Sequence, residues 1–172
     1  MIVTALKSTE YNSFYNTYIS KVPKHIDLIY GFKTGENHIL DFFNTIPEEK
    51  LNYRYAENKW SVKEVFQHII DTERVFIYRC FTIARHDKTA LAGFEQDDYI
   101  VPSKADKKTI EDLFEEYKAV RLNSIVLLKS LNDDDLSFIG NANGSDMSAR
   151  AAAFVILGHE IHHMDVIKKR YL

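Results

Sequence analysis

Apolar residues recur along the chain with the spacing of amphipathic helices, and four long segments carry this pattern: residues 23–45, 61–86, 106–131 and 148–171. Each has about 22 to 26 residues, or roughly 35 Å of helix at about 1.5 Å per residue. The apolar stripe of the first segment includes Leu28, Phe32 and Ile39, and Pro47 ends that helix. Four helices of matched length predict an all-α fold, a four-helix bundle.

Residues at the segment ends support these boundaries. Ser61 and Glu64 have the spacing of a capping box, and Ser148 is placed to cap the last helix. The connections at 46–60 and 87–105 are long enough to be crossovers, and long loops often carry function. A short helix rich in Tyr and Phe is expected over residues 10–20. We therefore predict one helical domain over residues 1–172, with residues 1–22 as an N-terminal extension that packs on the bundle.

Composition narrows the class of protein. Only 6 glycines and 3 prolines occur in 172 residues, which favours few turns and long elements. The net charge of 22 − 25 = −3 gives no electrostatic footprint for nucleic acid. Cys80, the single cysteine, lies on an apolar stripe and is expected in the core. A chain with one cysteine cannot form an intrachain disulfide, which fits a reducing compartment. The run Asp133–Asp135 does not fit a calcium-binding loop and is interpreted as a polar turn.

Membrane and export signals are absent from the pattern. No apolar run approaches the roughly 20 residues that a membrane span needs. The first residues carry neither a basic region nor a long apolar stretch of the kind found in signal peptides. A cytoplasmic protein with no membrane or nucleic-acid partner is expected.

The last helix carries the main chemical signal, in the stretch Gly158–Met164. On a helical wheel, His159 and His163 fall within the apolar stripe, and His162 lies at its edge. Two imidazoles one turn apart and facing the core need partners for their nitrogens. Either a divalent metal binds both, or the two form a hydrogen-bonded structural pair.

The same stretch matches the His-Glu-x-x-His pattern of zinc proteases, but the rest of that motif is missing. The extended form needs glycine and histidine downstream, where this chain has Val166 and Lys169, and no glutamate follows His163. Glu160 lies about 80° from the stripe centre, which favours a solvated or boundary carboxylate.

A third ligand would have to come from upstream, where four histidines are available. His86 is placed to cap the second helix, His25 begins a helix, and His38 lies off the main stripe of the first helix. His68 lies in the middle of the second helix, at a height the bundle core could reach. Its position on the wheel is that of a boundary residue, so periodicity alone leaves the third ligand open.

Three blocks of sequence resemble the DinB/YfiT-like metalloenzyme family. The blocks are residues 59–74, residues 92–99 and residues 158–163, and they occur in the family's order within residues 24–172. The resemblance implies a four-helix bundle with a metal site in its core. Carried over position by position, it implies His68, His159 and His163 as metal ligands, with His162 outside the set.

Such a site would use a divalent ion with positions open for water or substrate, as catalytic sites do. Imidazole suits zinc, nickel, iron and manganese alike, so the metal's identity stays open. Three neutral ligands leave the ion's charge uncompensated, which lowers the pKa of bound water and suits Lewis-acid or hydroxide chemistry. The same charge also suits a thiolate as incoming ligand. The family resemblance accordingly implies a thiol S-transferase that uses a metal-activated low-molecular-weight thiol on a small-molecule substrate.

Two further readings remain open at this point. One is a metal-dependent hydrolase. The other is a non-enzymatic, stress-linked interaction bundle with a structural metal or none. No residue besides the ligands is assigned a catalytic role; Asp71 and Tyr99 are candidates for the surroundings of the site. Exposed apolar surface is common on bundles of this kind, and a homodimer is compatible with it.

Overall fold

The computed structural model describes residues 1–172 as a helical bundle with a short β-hairpin. Short 3₁₀ turns occur at Val3–Ala5, Ser8–Glu10, Ser13–Tyr15 and Ala105–Lys107, and the hairpin strands are β1 (Ile139–Ala142) and β2 (Ser145–Ser148). The α-helices are α1 (Asn16–Ile19), α2 (Leu28–Asn44), α3 (Glu48–Leu51), α4 (Val62–Ala84), α5 (Asp97–Ser103), α6 (Ile110–Lys129), α7 (Asp133–Ser137) and α8 (Ala149–Arg170).

The four long helices α2, α4, α6 and α8 form the bundle, so the predicted fold class is confirmed. Helix α4 packs against α8 and α6, and α2 packs against the same two helices. The order around the bundle is therefore α4, α8, α2, α6. Because α2 lies diagonally across from α4, and α6 across from α8, two of the three connections between long helices cross an end of the bundle.

Side-chain caps fix where the long helices begin. The Ser61 hydroxyl accepts a hydrogen bond from the Glu64 amide at 3.1 Å, and the Glu64 carboxylate accepts one from the Ser61 amide at 2.8 Å. Ser148 caps α8 through a 3.1 Å bond from the Ala151 amide. Both predicted N-caps are therefore confirmed.

Two helices begin later than the apolar pattern suggests. Helix α2 begins at Leu28 because the Asp27 carboxylate accepts from the Tyr30 amide at 3.2 Å. Helix α6 begins at Ile110, since Thr109 forms a capping box with Asp112. Apolar periodicity locates a buried face, whereas the capping side chain locates the first turn.

Two short elements depart from the sequence-based expectations. Residues Asp133–Ser137 form helix α7, capped by Asn132, where a turn was expected. The β-hairpin was not predicted at all. Its turn residues Asn143 and Gly144 have φ angles of 54° and 73°, as a two-residue hairpin turn with both central residues left-handed requires.

The N-terminal segment lies across α8 beside the histidines. The N-terminal segment can approach α8 closely because residue 158 is glycine. A Cβ atom at this position would lie 2.1 Å from the Tyr18 carbonyl oxygen. The Tyr18 ring consequently packs edge-on against the His159 ring at 5.2 Å.

Buried apolar residues form two clusters, one towards each end of the bundle. Cys80 lies in the first cluster and is fully buried, as predicted. Between the clusters, the middle turns of the long helices contribute buried polar side chains: His68 and Glu73 from α4, Arg121 from α6, and His159 and Glu160 from α8. The candidate site belongs to this polar layer. No helix in the structure combines the length and the hydrophobicity that crossing a bilayer would take.

Candidate metal centre

Three histidines from two neighbouring helices meet in the polar layer. His68 is contributed by α4, and His159 and His163 lie one turn apart on α8. The Nε2 atom of His159 lies 2.9 Å from Nε2 of His68 and 3.1 Å from Nε2 of His163. One ring nitrogen from each of the three lies within 4.8 Å of the others. The structure thus brings together the three residues singled out in the sequence.

Burial keeps these imidazoles neutral. Desolvation lowers the pKa of His68 to about 4, with the charge of His162 acting in the same direction. Desolvation also holds the pKa of His159 and that of His163 well below their ordinary value, and the neighbouring imidazoles add to this effect. A neutral imidazole has a lone pair free for a metal ion.

Protein groups do not satisfy the hydrogen-bonding capacity of the cluster. The Thr72 hydroxyl lies 3.5 Å from Nδ1 of His68, at the limit of a hydrogen bond. The Nδ1 atom of His163 is buried and has no partner. The Nε2 atom of His159 carries either one proton or one lone pair, so it can form a full hydrogen bond with only one of the two neighbouring Nε2 atoms. The arrangement therefore fits a divalent ion better than a self-sufficient structural cluster.

A cavity of about 280 Å³ reaches the cluster from one side. His68 and His159 form part of its wall, together with Thr72 and Phe76 of α4. The loop before α5 closes another side and is held to the hairpin by a 3.0 Å bond from the Leu91 amide to the Asn141 carbonyl. The full lining is Phe14, Tyr15, Tyr18, His68, Thr72, Phe76, Arg79, Phe94, Glu95, Gln96, Asn143, Val155 and His159.

Glu160 does not behave as a boundary carboxylate, and this expectation was wrong. Only 1% of its surface is exposed. Its Oε2 atom accepts from the Tyr117 hydroxyl at 3.1 Å and pairs with the Arg121 guanidinium. Burial raises the pKa of the Glu160 carboxyl, against the opposing effect of Arg121. The wheel angle placed Glu160 away from the apolar stripe, but it could not show that Arg121 of α6 reaches this carboxylate from across the bundle.

Arg121 is fully buried between two carboxylates. It forms a 2.7 Å ion pair with Glu73 and a second ion pair with Glu160, and its Nη1 atom donates to the Phe32 carbonyl at 3.1 Å. Ser124 donates a 2.7 Å bond to Glu73. This network was missed in the sequence; each member looks ordinary alone, and only the bundle packing brings them together.

Glycine at position 35 makes room for the network. A Cβ atom at Gly35 would lie 2.4 Å from Oε1 of Glu160 and 3.1 Å from Nη1 of Arg121. Any larger residue on this turn of α2 would therefore displace the buried carboxylate beside His159.

Other candidates from the sequence lie outside the site. His162 is half-buried, with its ring 5.3 Å from that of Tyr18, and it is not part of the cluster. Asp71 pairs with Arg74 at 2.9 Å, and Tyr99 packs on Phe94 at 5.5 Å; neither lines the cavity. His25 and His38 are exposed.

His86 follows the end of α4. Its φ angle is 60°, and its amide donates to the Ile83 carbonyl at 2.9 Å. A residue with left-handed backbone at this position closes many helices, which agrees with the predicted capping role.

The lowered pKa of His68 predicts how the stability of the metal-free protein depends on pH. Unfolded His68 takes up a proton near pH 6.5, whereas the folded residue resists protonation down to about pH 4. Its contribution to the free energy of unfolding is therefore present above pH 6.5 and is lost as the pH falls towards 4. At about 1.4 kcal/mol per pKa unit, we expect a loss of about 3 kcal/mol.

Urea unfolding of chelator-treated protein across this pH range would measure the loss. The His68→Phe variant should show a flatter pH dependence than the wild type, and the exposed-site control His38→Phe should not. Equal slopes for wild type and His68→Phe would contradict the assignment.

Comparison with known proteins supports the family and the fold. The sequence profile of the DinB superfamily matches residues 32–167. A protein of Oceanobacillus iheyensis, described by name as a candidate metal-dependent hydrolase, is 22% identical over an alignment of 142 residues, and the match covers 79% of this chain and 79% of the relative.

Two solved structures share the fold. YfiT from Bacillus subtilis, described as a probable metal-dependent hydrolase with an unusual four-helix bundle topology, aligns with a TM-score of 0.74 over 93% of this chain and 91% of its own, at 13% identity. The mycothiol-dependent maleylpyruvate isomerase aligns with a TM-score of 0.65 over 81% of this chain and 60% of its own, at 12% identity.

Proposed function

The chain belongs to the DinB superfamily, and we propose that it is a metal-dependent enzyme in which His68, His159 and His163 hold a divalent ion and a low-molecular-weight thiol is the nucleophile. One observation carries the proposal. Three neutral imidazoles converge with their Nε2 atoms 2.9 and 3.1 Å apart, and two of them, His68 and His159, line a cavity that a small molecule can enter.

The donor set suits zinc, nickel, iron or manganese, as the sequence indicated. When bound, a divalent ion held by three neutral ligands lowers the pKa of a thiol or water that meets it. His68 and His159 line the cavity, so a ligand in the cavity would meet an ion held by them, and the Trp60 ring lies 4.8 Å from the ring of His68.

The surroundings of the histidines favour a thiol over water as the nucleophile. Hydrolysis usually needs a carboxylate or imidazole nearby to take a proton. Glu160, the neighbour of His159 in sequence, is bonded to Tyr117 and Arg121 within the bundle. Glu95, the one carboxylate in the cavity lining, is exposed to solvent on the loop before α5 and is not among the histidine cluster's hydrogen-bond partners. A thiol has an ordinary pKa of about 8.5, and a nearby cation lowers it, so the thiol can release its proton to solvent at neutral pH without a positioned base. We therefore place thiol transfer to an electrophilic substrate first.

Hydrolysis is the second candidate, favoured by the description of two relatives as metal-dependent hydrolases. The cavity that reaches His68 and His159 speaks against the third reading, in which a structural metal is closed off from solvent. A small-molecule substrate follows from the size of the cavity. A homodimer and a cytoplasmic location remain predictions.

The test compares two assays on protein loaded in turn with each of the four metals. We expect a metal-dependent consumption of thiol with an electrophile such as 1-chloro-2,4-dinitrobenzene, falling to background in His68→Ala. His38→Ala, on the exposed face of α2, is the matched control. Ester hydrolysis that depends on the metal but not on a thiol would establish the second candidate. Activity without metal in both assays would overturn both.

A further inference from the structure

A buried arginine lies at the far end of the same cavity. His68, Thr72, Phe76 and Arg79 follow one another on α4 at intervals of four, four and three residues, so they form one stripe along the helix. All four line the cavity. Eleven residues separate the Cα atoms of His68 and Arg79 by about 16 Å along the helix, and the long arginine side chain spans part of that distance.

The charge of Arg79 has no counter-ion in the protein. Only 3% of the residue is exposed, and no carboxylate forms an ion pair with it. Its Nη2 atom donates to the Ala92 carbonyl at 3.0 Å, and Nε and Nη1 form no hydrogen bond. The other arginine buried to this degree, Arg121, lies between two carboxylates.

Two aromatic rings hold the guanidinium in place. Its central carbon lies 4.8 Å from the centre of the Phe76 ring and 5.8 Å from that of Phe94. Such contacts fix the plane of the group but do not neutralise its charge. The two unbonded nitrogens, Nε and Nη1, are not sealed from solvent, and Arg79 lines the cavity, so an anion that enters the cavity can reach them.

We propose that this cavity binds a small organic carboxylate, with its anionic group on Arg79 and its reactive end at His68 and His159. This specifies the substrate class of the enzyme proposed above and rests on that proposal for the role of the histidines. A planar guanidinium binds a carboxylate through two parallel N–H···O bonds, and Nε and Nη1 are free to donate them.

The other residues that line the cavity indicate the chemical character of the rest of the ligand. Tyr15, Phe76 and Val155 offer an apolar wall between the two polar ends. Glu95 also lines the cavity, but it is exposed and forms no ion pair with Arg79. The ligand expected is a carboxylate with an apolar body, long enough to extend from Arg79 towards the histidines.

The test uses metal-free protein, so that a carboxylate cannot bind through the metal. Calorimetry compares 3-phenylpropionate with its amide, 3-phenylpropanamide, which has the same shape without the charge. We expect the carboxylate to bind at least about tenfold more tightly, since hydrogen bonds to charged groups contribute about 1.5–3 kcal/mol. Arg79→Gln should abolish this preference, Arg79→Lys should keep part of it, and Arg85→Gln, on an exposed arginine at the end of α4, should keep all of it.

A wild-type measurement covers the case in which Arg79→Gln does not fold. The Nε–H resonance of Arg79 in ¹⁵N-labelled protein should shift on addition of the carboxylate and stay in place with the amide. Equal affinities for the two compounds, absence of binding by both, or an unmoved Arg79 resonance would overturn the proposal. The binding measurement contains no metal, so a failure of the metal-site proposal would not change the preference for the carboxylate. Conversely, a protein that binds metal at the histidines but does not prefer the carboxylate would refute the carboxylate proposal alone.

Discussion

Replacing Arg121 with methionine is expected to lower the free energy of unfolding by about 3–5 kcal/mol, the largest stability effect that the structure predicts for one substitution. The guanidinium is fully buried and joins Glu73 of α4 to Glu160 of α8. Without it, two carboxylates would remain in the middle of the bundle with no positive charge near them. Since small domains are stable by only about 5–15 kcal/mol, the variant is expected to be marginally folded.

A further variant distinguishes the effect of the two unpaired carboxylates from the effect of lost packing around residue 121. Adding Glu73→Gln and Glu160→Gln to Arg121→Met removes both stranded charges and should recover part of the lost stability. Lowering the pH should also help the single variant, because protonation neutralises the two carboxyl groups.

Urea unfolding at neutral pH measures the effect, with the exposed Arg85→Met as the matched control. The control is expected to change stability by less than about 0.5 kcal/mol. A loss below about 1 kcal/mol in Arg121→Met, or no recovery in the triple variant, would show that the buried network does not hold the three helices together as described.

Replacing His159 with alanine is expected to weaken metal binding at least about 100-fold, because even a lost partner of a ligand costs roughly 10–100-fold. His159 is the central residue of the cluster, since its Nε2 atom lies within 3.1 Å of both other histidines. The variant should lose thiol transfer to the same extent.

Trp60 provides the readout for this titration. It is the chain's single tryptophan, and its ring lies 4.8 Å from the His68 ring. Nickel or cobalt ions bound at the histidines should therefore quench its fluorescence. His162→Ala is the matched control, because His162 lies on the same helix but outside the cluster. Equal metal affinities for His159→Ala and His162→Ala would contradict the assignment.

The features predicted best are those that local sequence determines. The Ser61–Glu64 capping box and the Ser148 cap depend on a few neighbouring residues, and both are in place. The inward direction of His159 and His163 follows from helical periodicity. Periodicity alone did not predict that His68 is buried. Its wheel position was that of a boundary residue, whereas only 4% of it is exposed in the structure.

The features that were missed depend on contacts between distant segments. Arg121 and Glu160 are 39 residues apart, and neither shows in the sequence that it will meet the other. Arg79 was also passed over, although its spacing from His68 along α4 was a usable signal. The hairpin is a different case, because Asn143-Gly144 is a strong local turn signal, but its flanking strands have only four residues each and are too short to show a clear alternating pattern.

X-ray absorption spectroscopy of the protein loaded with one equivalent of zinc tests the central claim most directly. Three imidazole nitrogens are expected at about 2.0–2.1 Å from the ion, with oxygen donors from solvent completing the coordination. Addition of a low-molecular-weight thiol should then introduce a sulfur ligand at about 2.3 Å. A spectrum with no more than one imidazole, or protein that retains no zinc, would contradict the three-histidine site.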